Sequence, residues 1–297
     1  ISKYWGVYLN DFMRLMGWNA NTNLTFGSFH IDIAPIIIVA FFTTLLVFGT
    51  KIGARVDGAM TVLKIAIVFF VVIVGFFYVK ASNFTPFIPP SQPASTVEGS
   101  SAVTGVMTQP LWQFATGMTP SVYGVPGILS GAALVFFAFI GFDVVATASE
   151  ETKNPHKNVP LGIGVGMLLI IVMYMLVAVV TTGMVSYADL AKQDSPSLAT
   201  AFELVGADWA AKIISFGIVL GLATVVMVLL LGLTRIVFAM SRDGLLPRGL
   251  SKTGKHGTPA ALQIVVGAVV ALVAAFFDIG VLSDMVNIGT LSAFTLV

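Results

Sequence analysis

Seven long apolar runs follow one another along this chain, at approximately 33–50, 58–79, 128–149, 161–185, 210–240, 260–280 and 285–297. A helix needs about 20 apolar residues to cross roughly 30 Å of hydrocarbon, and each run reaches that length or begins to. Closed barrels are the other way to satisfy every backbone group in lipid. Their strands alternate in polarity, whereas these runs are long and continuous. The expected fold class is therefore all-α, a polytopic helical membrane protein with about seven transmembrane helices. Composition agrees. Only 10% of the 297 residues are charged and the mean hydropathy is +0.96. An ordinary soluble domain carries about 25% charged residues, so there is too little charge here to coat a water-facing surface. A soluble enzyme and a disordered chain are excluded. The net charge of +1 offers no field for a nucleic acid, and the absence of cysteine removes disulfides and thiolate metal sites. Many of the 29 Gly and 13 Pro lie inside apolar runs, as they do more often in membrane helices than in soluble ones.

The chain starts at Ile1 with no signal peptide ahead of the first polar stretch, and Leu296 and Val297 end it inside an apolar run. It reads as an internal fragment of a longer protein. Orientation follows from the basic residues, which favour the cytoplasmic side. One set of connections holds Lys51, Arg55, Lys153, Lys157, Arg235, Arg242, Arg248, Lys252 and Lys255. The opposite set, at roughly 80–127 and 186–212, holds Lys80, Lys192 and Lys212 in longer loops. The first set is expected to be cytoplasmic, which leaves residues 1–32 outside and sends the 33–50 span inward. The 210–240 run is long enough to span with tilt and to project into the cytoplasm.

The outer loop at 80–127 is rich in Pro, Gly, Ser and Thr, and a connection of that length is usually functional or mobile. Ser195-Pro196-Ser197 reads as a cap with Pro at the first helical position, opening a short outer helix at about 197–206. Asn23-Leu24-Thr25 and Asn83-Phe84-Thr85 match the short glycosylation pattern, which also arises by coincidence.

The 128–149 run contains residues a membrane helix should not hold. Its centre reads FFAFIGFD from Phe136 to Asp143. Gly141 weakens the helix there, and a carboxylate such as Asp143 near the bilayer centre costs roughly 2.5–3.5 kcal/mol on insertion scales. One reading is a discontinuous helix whose broken backbone can bind an ammonium or a carboxylate. The other is a glycine for close packing and an aspartate bonded to a neighbouring helix. Lys64 lies about 9 Å into the second span, counting at ~1.5 Å per residue from Gly58. Its stem can snorkel that distance to the headgroups. Alternatively it is a buried amine that loses and regains its proton within a transport cycle. Glu150 and Glu151 are either a cytoplasmic gate or an interfacial charge cluster at a helix end. Two Gly-x-x-x-Gly pairs, Gly162/Gly166 and Gly217/Gly221, permit close helix approach and are expected to mark internal packing. His30, His156 and His256 are isolated from one another in sequence, so no histidine metal site is expected. No zinc-protease, nucleophile-elbow or P-loop motif occurs. No enzyme activity and no cofactor are expected.

The stretch FFAFIGFDVVATASEETKNPHKNVPLGI, Phe136 to Ile163, resembles the amino acid–polyamine–organocation transporters, and within them the bacterial permeases similar to cationic amino acid transporters. LTRIVFAMSRDGLLP (Leu233 to Pro247), VNIGTLSAF (Val286 to Phe294) and TKIGARVDGAMTVLKIA (Thr50 to Ala66) are similar to the end of that family's eighth helix, its tenth helix, and the join of its fourth and fifth. The resemblance covers nearly the whole chain. It implies a LeuT-like five-plus-five inverted repeat, incomplete here, with the chain holding helices 4 to 10. It implies that carbonyls of the broken sixth helix meet a substrate α-amino group, at positions matching Phe137, Ala138 and Ile140 beside Gly141 and Asp143. The Phe137 ring then matches an aromatic gate, and Lys64 matches a lysine implicated in proton coupling. The substrate carboxylate would meet a first helix that lies outside this chain.

The function implied is secondary active uptake of amino acids with protons, by alternating access, in the cell membrane. The implied partners are an amino acid, the proton and the lipid bilayer. Exchange without net proton movement, and a receptor or accessory protein on the same scaffold, are the alternatives. The substrate's side chain and the oligomeric state stay open.

Overall fold

A computed structural model describes residues 1–18, 22–26, 29–48, 50–93, 117, 121–139, 141, 152, 154–193, 197–251, 259–277 and 279–296. Helices dominate, as the continuous apolar runs require. They are α1 (Ser2–Leu15), α2 (Ile33–Phe48), α3 (Thr50–Phe76), α4 (Gly124–Phe139), α5 (Pro155–Met184), α6 (Tyr187–Ala191), α7 (Leu198–Leu204), α8 (Asp208–Arg242), α9 (Ala260–Phe276) and α10 (Ile279–Leu296). Strands among the described residues are short. β1 (Asn23–Phe26) pairs antiparallel with β2 (Phe29–Asp32), and β3 (Gln92–Pro93) pairs antiparallel with β4 (Ser121–Val122). Gly58–Phe76, α5 and α8 are long and apolar enough to cross a bilayer by length and composition. The apolar helices α2 and α9 are shorter, at 16 and 17 residues.

The chain divides into two compact units. One comprises Ile1–Val79 with Gly141–Asp284, and the other Lys80–Ile140 with Met285–Val297. In the larger unit α8 is the central mast. Asp208 in its first turn and Arg242 in its last complement the helix dipole. Its first half joins Val71 of α3, Val180 and Met184 of α5, and Ala199, Ala201 and Phe202 of α7 around Ala210, Ala211 and Ile214. Its second half joins Ile38, Val39, Phe42 and Leu46 of α2 around Val226, Met227 and Leu230. Alanines and glycines along α8 let these neighbours approach closely, as small residues do between membrane helices.

The entry to α8 is a tight turn. Gly206 has φ +78, and the Gly206 and Ala207 amides donate to the Glu203 and Phe202 carbonyls at 2.9 Å each. This pair of bonds closes α7 in the Schellman pattern, which needs the left-handed residue that glycine supplies. Ser197 starts α7: its Oγ accepts from the Thr200 amide at 3.1 Å. The cap is thus Ser197 rather than Ser195, because Ser197 stands three residues ahead of the amide it must satisfy; Ser195 and Pro196 lie outside the described residues.

The residues before α2 include a helix of their own. α1 packs on α8 and α2. The Trp5 Nε1–H donates to the Val219 carbonyl at 3.0 Å, and Phe12 lies 5.8 Å from Phe216, ring to ring. In the smaller unit, α4 follows β4 through Tyr123 at φ +62 and Gly124 at φ +58.

Candidate functional site

The third apolar run is interrupted. α4 ends at Phe139, and Gly141 has φ +116. An L-residue with a Cβ rarely adopts that conformation, and an α-helix requires φ near −63°. Phe137 and Ala138 therefore sit in the last turn of α4, where the negative pole of the helix dipole lies. Ala138 is exposed, and Phe136 and Phe139 are half-buried. The Phe137 side chain, Ile140 and Asp143 lie outside the described residues, as do Glu150 and Glu151. The next helix opens with Asn154 at φ +51 and Pro155 at its first position. That proline has no amide to leave unsatisfied there.

Lys64 lies in the larger unit, half-buried on α3. Its neighbour is the second Gly-x-x-x-Gly pair. A Cβ built at Gly221 would stand 3.6 Å from Lys64 Cγ and 3.7 Å from its Cε. A Cβ at Gly217 would collide with the tip of Ile67. Lys64 and Ile67 are three residues apart on α3, and Gly221 and Gly217 four apart on α8, so an i±3 row of α3 lies against an i±4 row of α8. The lysine stem thus lies against the neighbouring helix beside Gly221.

Two charged groups that sequence reading missed lie at the two ends of α1 in the larger unit. Lys3 Nζ is 2.9 Å from Asp32 and donates to the Phe277 carbonyl at 2.6 Å. Arg14 reaches Glu203 at 3.4 Å and Asp11 at 4.0 Å. Burial pushes the Asp11 carboxyl above its ordinary range; Arg14 pulls against this and Glu203 adds to it. The signal was available: Trp5, Tyr8, Phe12 and Leu15 recur at helical spacing. Among the described residues no group of three or more His, Asp or Glu could hold a metal ion.

Among the described residues, three helices long and apolar enough to cross a bilayer, with a further apolar run broken at Gly141, define a multi-pass helical membrane protein. A model of the amino acid permease family matches residues 6–297, and the chain belongs to that family. It is 37% identical to the branched-chain amino acid permease BcaP of Bacillus subtilis (strain 168), over all of this chain and 58% of that protein. It is 38% identical to the methylthioribose transporter of the same organism, over 88% of this chain and 49% of that one. It is 34% identical to the vacuolar cationic amino acid transporter 4 of Arabidopsis thaliana, over 90% and 40% respectively. The chain spans about half the length of the curated relatives it matches.

Proposed function

We propose that the full-length protein is a secondary active transporter that carries amino acids across the cell membrane with protons, by alternating access. The observation that carries this reading is the helix interruption at Gly141 inside an apolar run. In a transporter, broken backbone at membrane depth is where a polar solute is gripped. Phe137, Ala138 and Ile140 would offer carbonyls to the substrate ammonium beside Gly141 and Asp143, at the negative end of α4. The Phe137 ring would close the outer path. Lys64 would carry the coupling proton, and its release would favour the inward-facing state. Family membership supports the reading, as do relatives named for amino acid transport.

One relative is named for methylthioribose, and this favours a second reading in which the solute is not an amino acid. Both are tested with the full-length protein in proteoliposomes. Labelled branched-chain and cationic amino acids, and methylthioribose, are offered under a pH gradient that is alkaline inside. The expected result is saturable accumulation of at least one amino acid that collapses with a protonophore. Accumulation of methylthioribose alone would select the second reading. Uptake that needs internal amino acid and ignores the gradient would replace symport with exchange. Saturable binding without uptake would remove transport. Lys64→Ala is expected to abolish the pH dependence of uptake, and unchanged dependence would take Lys64 out of the coupling.

A further inference from the structure

We infer that position 221 of α8 is a positioning site for Lys64: a residue no bulkier than alanine there leaves the lysine stem its place, and through it sets the pH at which transport responds. The inference rests on the reading of Lys64 as the coupling group and adds a residue outside the interrupted helix. The stem of Lys64 lies along α8 at Gly221, Cγ 3.6 Å and Cε 3.7 Å from the place a Cβ would take. These are ordinary contact distances, so the stem passes beside Gly221 with room left for a Cβ, and branched carbons beyond that Cβ would meet the lysine. One turn away, Ile67 occupies the corresponding space at Gly217, which fixes the register of α3 on α8.

The helix α8 is also backed from its other side. Val219 lies two residues from each glycine, about 200° around the helix from both at ~100° per residue. Its carbonyl accepts from Trp5 of α1. With α3 on one face and α1 behind the other, bulk added at position 221 is relieved by moving Lys64 rather than α8. The Gly221 carbonyl accepts from Thr224 Oγ1 at 2.9 Å, a further tie on the local backbone.

Among the described residues, few other ionisable groups come from the elements packed on α3; α7, which meets α3 at Gly75 through Phe202, carries Glu203. The helix α2 has none, α8 has none between Lys212 and Arg235, and α5 has only Tyr174 after Lys157. On α3 itself the others are Lys51, Arg55 and Asp57, toward its start. Lys64→Ala, measured beside the Gly221 variants, is the control that ties a shift in the pH response to the lysine.

The test measures uptake against pH for the full-length protein in proteoliposomes, with each variant normalised to its folded fraction by size-exclusion chromatography. Gly221→Leu places branched carbons where the Lys64 stem lies, and is expected to move the midpoint of the profile by about one pH unit. Gly221→Ala adds only a Cβ at ordinary contact distance, and is expected to keep the wild-type midpoint. Gly267→Ala, which crowds Thr43 at a different helix crossing, controls for general packing damage: it is expected to lower yield without moving the midpoint. Should the leucine variant fail to fold, Gly221→Val, one methylene smaller, is read in the same way. A Gly221→Leu profile that superimposes on wild type, while Lys64→Ala is flat, would overturn the positioning role and leave Lys64 in place. A Lys64→Ala profile that keeps its pH dependence would overturn both.

Discussion

Gly162 and Gly166 in α5 have the same spacing as Gly217 and Gly221 in α8, and both helices are long and apolar enough to cross a bilayer. In α8, Ile67 of α3 fills the place at Gly217 and Lys64 passes at contact distance from Gly221. In α5 the pair, with Gly164 between, meets nothing within 4 Å among the described residues. The most apolar stretch of α8 is 44% buried, against 6% for α5. A small-residue pair permits a close approach without supplying a partner. What decides is whether a neighbouring helix offers a matching ridge, and α3 offers one to α8 through residues three apart. Hydropathy reports that a segment crosses the membrane, and the small residues report only where it is able to be touched.

The largest expected effect comes from bulk at the filled place. Gly217→Leu should drive α3 from α8 and lower stability by about 3 kcal/mol, seen as lost folded protein or a reduced melting temperature in detergent. Gly162→Leu should stay within about 0.5 kcal/mol of wild type. Equal losses in the two variants would break the comparison, since the α5 face would then be as closely packed as that of α8.

A smaller effect is expected where α3 meets α5 itself. A Cβ at Gly75 would collide with Val180 and lie 2.8 Å from Met184 Sδ. Gly75→Ala should therefore cost about 1–2 kcal/mol, placing the contact of α5 with α3 at the C-terminal end of each helix. A wild-type melting curve for this variant would leave α5 without that anchor. Ser197→Ala, which removes the α7 cap beside the same core, should cost about 1 kcal/mol by thermal unfolding; no change would mean the cap bond adds nothing there.

The smallest effect belongs to the charges on α1. The folded Asp11 carboxyl holds its proton to a higher pH than the unfolded one. Its contribution to stability therefore declines as pH rises from the ordinary carboxylate range through the raised value. Asp11→Asn should flatten that decline in melting temperature against pH, and an unaltered slope would rule Asp11 out as its source. Arg14→Ala should change stability by less than about 1 kcal/mol, as exposed pairs do.

The run of apolar residues and the Gly141 weakness could be read from sequence because both are local: one is a matter of composition, the other of a residue type set against its surroundings. The helix α1 escaped because a search for uniformly apolar segments passes over a helix that carries Lys3, Asp11 and Arg14 on one side and Trp5 and Phe12 on the other. The neighbour of Gly221 was not legible, since Lys64 lies far from it in sequence and only the crossing of α3 with α8 brings them together. Ser197 was passed over for Ser195 because a proline between two serines offers either as a cap, and the bond to Thr200 decides.

The central claim, that the helix break at Gly141 makes a substrate grip, is tested most directly by amino acid binding to the full-length Gly141→Ala protein. A Cβ at φ +116 adds strain on the order of 1–3 kcal/mol, enough to re-form or distort the break. The expected result is at least about a tenfold loss of affinity in protein that still elutes as a folded species. Wild-type affinity in that variant would contradict the account.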